Sequence, residues 1–203
     1  MGCGSSSAGT SANDKNEQQP KQATNNSTKE NANKDTTQKK AETNAPSNTT
    51  SNQFMNEAIQ SHNKLRAMHS APAMTPAEEL IVYAQKYADE LAKRDVMEHS
   101  KCILPSGGRV GENLYCYWSS DQTAVPTADM AVQSWYDEIK DYNFNDHGFA
   151  MNTGHFTQVV WKGSTELGMA WAKSAKGTTY VVANYRPAGN MMGDFENHVL
   201  PKQ

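Results

Sequence analysis

Glu138 is the residue whose type and place are hardest to reconcile with a plain core. In a helix opening near Thr127 it shares a face with Ala131, Ser134 and Trp135, the face that packs inward, while Asp137 and Lys140 point elsewhere. A carboxylate among apolar neighbours is costly unless a cation or hydrogen-bond donors meet it. His62 is a milder case, sitting with Ile59 and Leu65 one turn from Arg66. His155 opens a short helical segment after Gly154, with Val159 on the same face. Glu112 follows a glycine-rich loop, and His99 stands in another loop between Glu98 and Ser100. Imidazoles and carboxylates of this kind can move protons or ligate a metal. Each also has an ordinary alternative, since a single histidine on an apolar face is more often a hydrogen-bonded core residue, and a single glutamate at a helix end more often faces water. Positions 99, 112, 138 and 155 form no local metal motif such as HExxH, so spacing leaves them unassembled. Ser100 beside His99 can be drawn as a nucleophile, but neighbours in sequence rarely have the geometry of a triad, and the catalytic assignment stays unknown.

A second kind of chemistry is written at the start. Met1-Gly2-Cys3-Gly4-Ser5-Ser6 fits the myristoylation pattern, with Gly2 exposed once Met1 is removed. Cys3 beside it is placed for a second, thioester-linked acyl chain. One myristoyl group binds membranes only marginally and two anchor stably. No apolar segment precedes Cys3, which excludes a bacterial lipoprotein signal, and no stretch has the length and apolarity of a membrane span.

These residues must be positioned by a chain of two materials. Between Gly2 and Gln53 there is no Leu, Ile, Val, Phe, Tyr or Trp, and all five Phe, eight Tyr and four Trp fall from Phe54 onward. Residues 1–52 therefore read as a disordered polar tail, too poor in apolar surface to offset chain entropy. Residues 53–203 have the size of one domain with one core. A net charge of −3 excludes the clustered basic surface of a nucleic-acid binder. Three cysteines are too few for a disulfide scaffold, so Cys102 and Cys116 read as reduced and partly buried, and the chain as cytosolic.

Apolar periodicity predicts a helix over 53–69 and another to about Arg94, the latter opened by a capping box, Thr75-Pro76-Ala77-Glu78, with Pro at the first helical position. Residues 95–111 read as irregular, 113–118 as extended, and 127–140 as a third helix. Residues 154–161 read as a helical turn or two. The runs 165–173 and 178–186, separated by Ser174-Ala175-Lys176-Gly177, read as a β-hairpin. Helices first and paired strands last predict a layered α+β domain with an antiparallel sheet.

The stretch Gly154-His155-Phe156-Thr157-Gln158-Val159-Val160-Trp161-Lys162-Gly163-Ser164 resembles the first signature of the CAP superfamily, that of cysteine-rich secretory proteins, antigen 5 and pathogenesis-related 1 proteins. Tyr180-Val181-Val182-Ala183-Asn184-Tyr185-Arg186-Pro187-Ala188-Gly189-Asn190 resembles the second. Two shorter motifs of the family stand in the same order, His62-Asn63-Lys64-Leu65-Arg66 and Gly111-Glu112-Asn113-Leu114-Tyr115. The resemblance covers about residues 52–200. Ala183 replaces a disulfide-forming Cys of secreted members, which points to the intracellular, myristoylated branch. The resemblance implies an α-β-α sandwich with a central antiparallel sheet and an open cleft lined by His99, His155, Glu112 and Glu138. It makes His62, Asn63 and Arg66 structural, bracing the first helix against the sheet, with Asn113 and Tyr185 as further motif residues. Two imidazoles could hold a divalent metal such as Zn²⁺ weakly, the carboxylates accepting the other ring N–H. The expected function is that of a membrane-tethered binding or scaffold protein on the cytosolic leaflet of Golgi or plasma membrane. Lipid or protein partners are expected, no nucleic acid, and a homodimer is left open. The alternatives are a secreted protein binding sterols or receptors, and a weak metal-assisted or protease-like hydrolase.

Overall fold

The hairpin predicted over 165–186 organises the molecule. A computed structural model describes residues 48–203 with the exception of 122. Gly2, Cys3 and the polar segment up to residue 47 lie outside the described residues. The hairpin strands are β3 (Glu166–Lys173) and β4 (Thr178–Arg186). β4 also pairs antiparallel with β2 (Gly111–Trp118), and β3 pairs parallel with a two-residue strand, β1 (Thr75–Pro76). The sheet order is β1-β3-β4-β2.

Alternation along the strands gives the sheet two apolar faces. On one face Ala170, Ala172, Tyr180, Val182 and Leu114 pack against Ala84, Ala88 and Leu91 of α2 (Glu78–Arg94). On the other, Leu167, Met169, Trp171, Val181, Ala183 and Tyr185 meet three helices, α1 (Asn48–Ala67), α3 (Ala128–Tyr136) and α4 (Gly154–Val160). The result is the α-β-α sandwich. A last turn, α5 (Phe195–His198), tucks Phe195 against Trp161. Among the described residues no helix is long and apolar enough to cross a membrane.

Four local readings change. α1 starts at Asn48 rather than 53, because its first turn is polar and carries no apolar stripe for periodicity to detect. Thr75 and Pro76 cap nothing: Thr75 N–H donates to Thr165 O and Ala77 N–H to Leu167 O, so the segment is claimed by β3. α2 therefore opens at Glu78 with Ala77 before it and no side-chain cap. The third helix ends at Tyr136 and tightens into a 3-10 turn, Asp137–Asp141, with Thr127 Oγ1 accepting from Met130 N at the start as expected of a cap. Ser134, expected on the inner face, is exposed. Cys102 and Cys116 are free thiols; Cys102 is half-buried, but Cys116, expected to be partly buried, is exposed.

Candidate functional site

The tightening after α3 places Glu138 over the first turn of α4. Its Oε2 accepts from the backbone N–H of His155 at 3.0 Å and of Phe156 at 3.1 Å. Its Oε1 accepts from the His155 ring at Nδ1, 2.7 Å away. The carboxylate thus satisfies helix-terminal donors that have no partner inside the helix, and its charge suits the positive end of the helix dipole.

The second pair is built on the edge strand. Glu112 on β2 is 1% exposed in its side chain, whereas His99 is 59% exposed. Glu112 Oε1 accepts from His99 Nδ1 at 2.9 Å and from Ser100 N–H at 2.8 Å, and Oε2 accepts from Asn184 at 3.3 Å. Burial pushes the Glu112 carboxyl up, but the hydrogen bonds from His99 and Ser100 outweigh it and hold the group below the ordinary carboxylate range. An ionised carboxylate only accepts, so each histidine must donate through Nδ1. In the neutral ring that leaves Nε2 with a free lone pair.

The two pairs lie toward opposite faces of the sheet at β2. Successive strand residues point to opposite faces. Glu112 meets Asn184 and the loop beyond α2, while Asn113 turns the other way and donates to the His155 carbonyl at 3.1 Å and to the Tyr185 hydroxyl at 3.2 Å. That hydroxyl donates to His62 Nε2 at 2.9 Å, and His62 Nδ1 donates to Ala58 O at 2.8 Å. A buried chain therefore runs from α1 through β4 and β2 to the backbone of His155. Trp135 stacks on the His155 ring, 6.3 Å between centroids and 27° between planes, and its indole N–H donates to Leu114 O on the outer edge of β2.

His62 thus ties α1 to the sheet. Asn63 instead closes the loop after α1 by exchanging hydrogen bonds with Met74 N–H and O. Arg66, fully buried, donates to the carbonyls of Pro72, Val159, Trp161 and Ser164, tying α1 to α4 rather than to the sheet. Burial pulls its guanidinium down to about 10. Ser100 Oγ lies 3.0 Å from the Tyr83 hydroxyl and accepts from Cys102 N–H, while the Nδ1 of the neighbouring His99 ring is held by Glu112. Periodicity missed Asn184, which the β2–β4 register sets opposite Glu112. It also missed a cavity of about 670 Å³ between α2 and the loop after it, bordered by Val82, Tyr83, Tyr87, His99 and Ile103.

As a metal centre the set is sparse. Two imidazole Nε2 atoms of the correct tautomer suit a divalent ion, with the carboxylates orienting the rings. Among the described residues no group of three or more His, Cys, Asp or Glu is placed to hold one. The described residues thus offer imidazole nitrogens in two separate histidine–carboxylate pairs and no cluster of the kind a structural zinc site uses.

Comparison with known proteins decides the family. Residues 59–185 match the Cysteine-rich secretory protein family, CAP. The chain belongs to the CAP family. This CAP domain is 43% identical over 152 residues to Golgi-associated plant pathogenesis-related protein 1 of Homo sapiens, covering 73% of this chain and 94% of the human one. It is 36% identical over 151 residues to Protein PRY2 of Saccharomyces cerevisiae, covering 73% of this chain and 41% of the relative. Secreted protein RBT4 of Candida albicans is 40% identical over 146 residues, with 70% and 37% covered, so the chain spans about two fifths of each fungal protein. Among solved structures, the crystal structure of NaASP2 with Zn²⁺ superimposes with a TM-score of 0.61 at 24% identity, covering 78% of this chain and 91% of that one. BmVAL-1 superimposes with the same TM-score at 23% identity, covering 74% and 84%. These likenesses establish the CAP fold.

Proposed function

We propose that this CAP protein is a membrane-tethered binding module. Acyl groups on Gly2 and Cys3 hold it to a cytosolic leaflet of Golgi or plasma membrane, and its His/Glu cleft faces lipid or protein partners. The observation that carries the reading is the pairing of each imidazole with its own carboxylate, which presets two Nε2 donors without placing an activated nucleophile beside them. Inside the cleft, Glu112 and Glu138 orient His99 and His155, Asn113 fixes the backbone of His155, and a divalent ion would supply an open coordination position for a ligand oxygen. The Golgi association in the human relative's name supports the membrane address. The Zn²⁺ in the NaASP2 structure supports the ion.

Calorimetric titration with Zn²⁺ tests the cleft. Wild-type protein should give modest binding heats that vanish in His99→Ala/His155→Ala, while equal heats in the two proteins would reject the metal role. A second reading, a secreted protein binding sterols or receptors, draws on the name of the Candida relative. It predicts recovery of the chain from the culture medium rather than from membranes.

A further inference from the structure

Away from the imidazole–carboxylate pairs, two loops carry large apolar side chains into solvent. Phe149 and Met151 precede α4, and Met191 and Met192 follow β4. Met151 and Met192 are 86% and 79% exposed, and the other two are half-exposed. Both loops are fastened to one residue. The Phe149 ring lies so close over Gly154 that a Cβ there would stand 2.9 Å from it. Asn190 donates to the Gly154 carbonyl at 2.8 Å and accepts from Thr157 Oγ1 at 2.6 Å. Beyond Asn190 the chain turns tightly, with Asp194 N–H donating to Met191 O and Gly193 at φ +90°, and the two methionines stand at the crest. Four large apolar side chains on adjoining, anchored loops are more than the scattered exposure ordinary for a surface. Methionine is also a pliable contact residue that adapts to partner side chains of different shape.

Charge selects the partner. No Lys or Arg occurs in 141–161 or in 187–201, segments bounded by Lys140, Lys162, Arg186 and Lys202. The same segments hold Asp141, Asp146, Asp194 and Glu196, all exposed and in no ion pair among the described residues. Asp141 and Asp146 share with Phe149 the wall of a cleft of about 350 Å³. An acidic rim around an apolar crest repels anionic lipid headgroups and attracts a cationic segment that brings its own apolar anchors. We infer that this face docks a basic amphipathic helix of a protein partner, with apolar side chains on Phe149, Met151, Met191 and Met192 and Lys or Arg side chains against the carboxylates. The surface needs neither the acyl anchor nor a metal ion.

The test uses the full, unacylated chain in chelator and a synthetic Leu/Lys helix of about 18 residues with apolar positions at i, i+3, i+4 and i+7. Fluorescence anisotropy should show saturable binding. Phe149→Ser/Met191→Ser/Met192→Ser and, separately, Asp146→Asn/Asp194→Asn should each weaken it about tenfold, with thermal melts showing both variants folded. A Leu/Glu helix of the same pattern should not bind. Equal affinity for the Leu/Glu helix, or unchanged affinity in either folded variant, would overturn the inference. So would binding to phosphatidylcholine/phosphatidylserine vesicles that the Phe/Met variant abolishes, which would make the patch a lipid contact.

Discussion

At the scale of single residues, His62 is the group most exposed to acid in its consequences and least exposed in space. It is wholly buried, its Nδ1 donating to Ala58 O and its Nε2 accepting from Tyr185. Burial pushes the imidazole down to about 4. The unfolded ring takes up a proton near its ordinary value of about 6.5, whereas the folded ring refuses it until about 4. Stability should therefore fall as pH drops from about 6.5 to about 4 and level off below, by about 3 kcal/mol from this group. Urea midpoints across that range measure it, and His62→Gln should flatten the slope even as it lowers stability overall. A slope unchanged in that variant would assign the acid sensitivity to other groups. Residue patterns disclosed Glu138, because a carboxylate on an inward helix face is an anomaly visible in one dimension. They could not assemble His99 and Glu112, which sit in an irregular loop and on an edge strand, where no period applies and only the family resemblance joined them.

At the scale of elements, α2 and β3 meet backbone to backbone. A Cβ built on Gly168 would stand 2.2 Å from the Leu80 carbonyl carbon and 2.3 Å from the Ile81 nitrogen. Both are backbone atoms, which cannot swing aside. Gly168→Ala must lift the helix from the sheet, at a cost of about 3 kcal/mol or a melting point lower by about 10 °C. Calorimetric melting checks this, and a wild-type melting point would show that the layer yields freely. The hairpin was legible because its strands are bounded by a Gly-containing turn and are buried on both faces. The start of α1 and the end of α3 were not, since one is a polar turn and the other depends on a 3-10 tightening that local composition does not encode. The Thr75–Pro76 segment has the letters of a helix cap, yet its backbone hydrogen bonds are taken by a strand about ninety residues later in the chain. Local chemistry lost there to long-range pairing.

At the scale of the whole molecule, the proposed acyl chains would act on a protein whose charges nearly balance. With a net charge of −3, the proposed attachment would rest on hydrocarbon, and one myristoyl chain gives a membrane association constant of only about 10⁴ M⁻¹. Cell fractionation should find wild-type protein in the membrane pellet, Cys3→Ser divided between pellet and supernatant, and Gly2→Ala soluble. Membrane retention of Gly2→Ala would remove the anchor. The three-layer architecture was legible only in outline, because helix-then-strand order fixes the class while the stacking of α2 opposite the other helices is set by which strand face each one covers.

The stack of Trp135 on His155 gives the protein an optical readout of its own cleft. Indole emission is quenched by a protonated or metal-bearing imidazole in contact with it, so occupancy of His155 should register as dimming without any added dye. Trp118, 64% exposed, can be silenced by an aqueous quencher that does not reach the three buried tryptophans. Trp161 stacks on His198 in a parallel arrangement, and a Trp161→Phe background removes that second imidazole-linked signal, leaving Trp171 as a constant contribution.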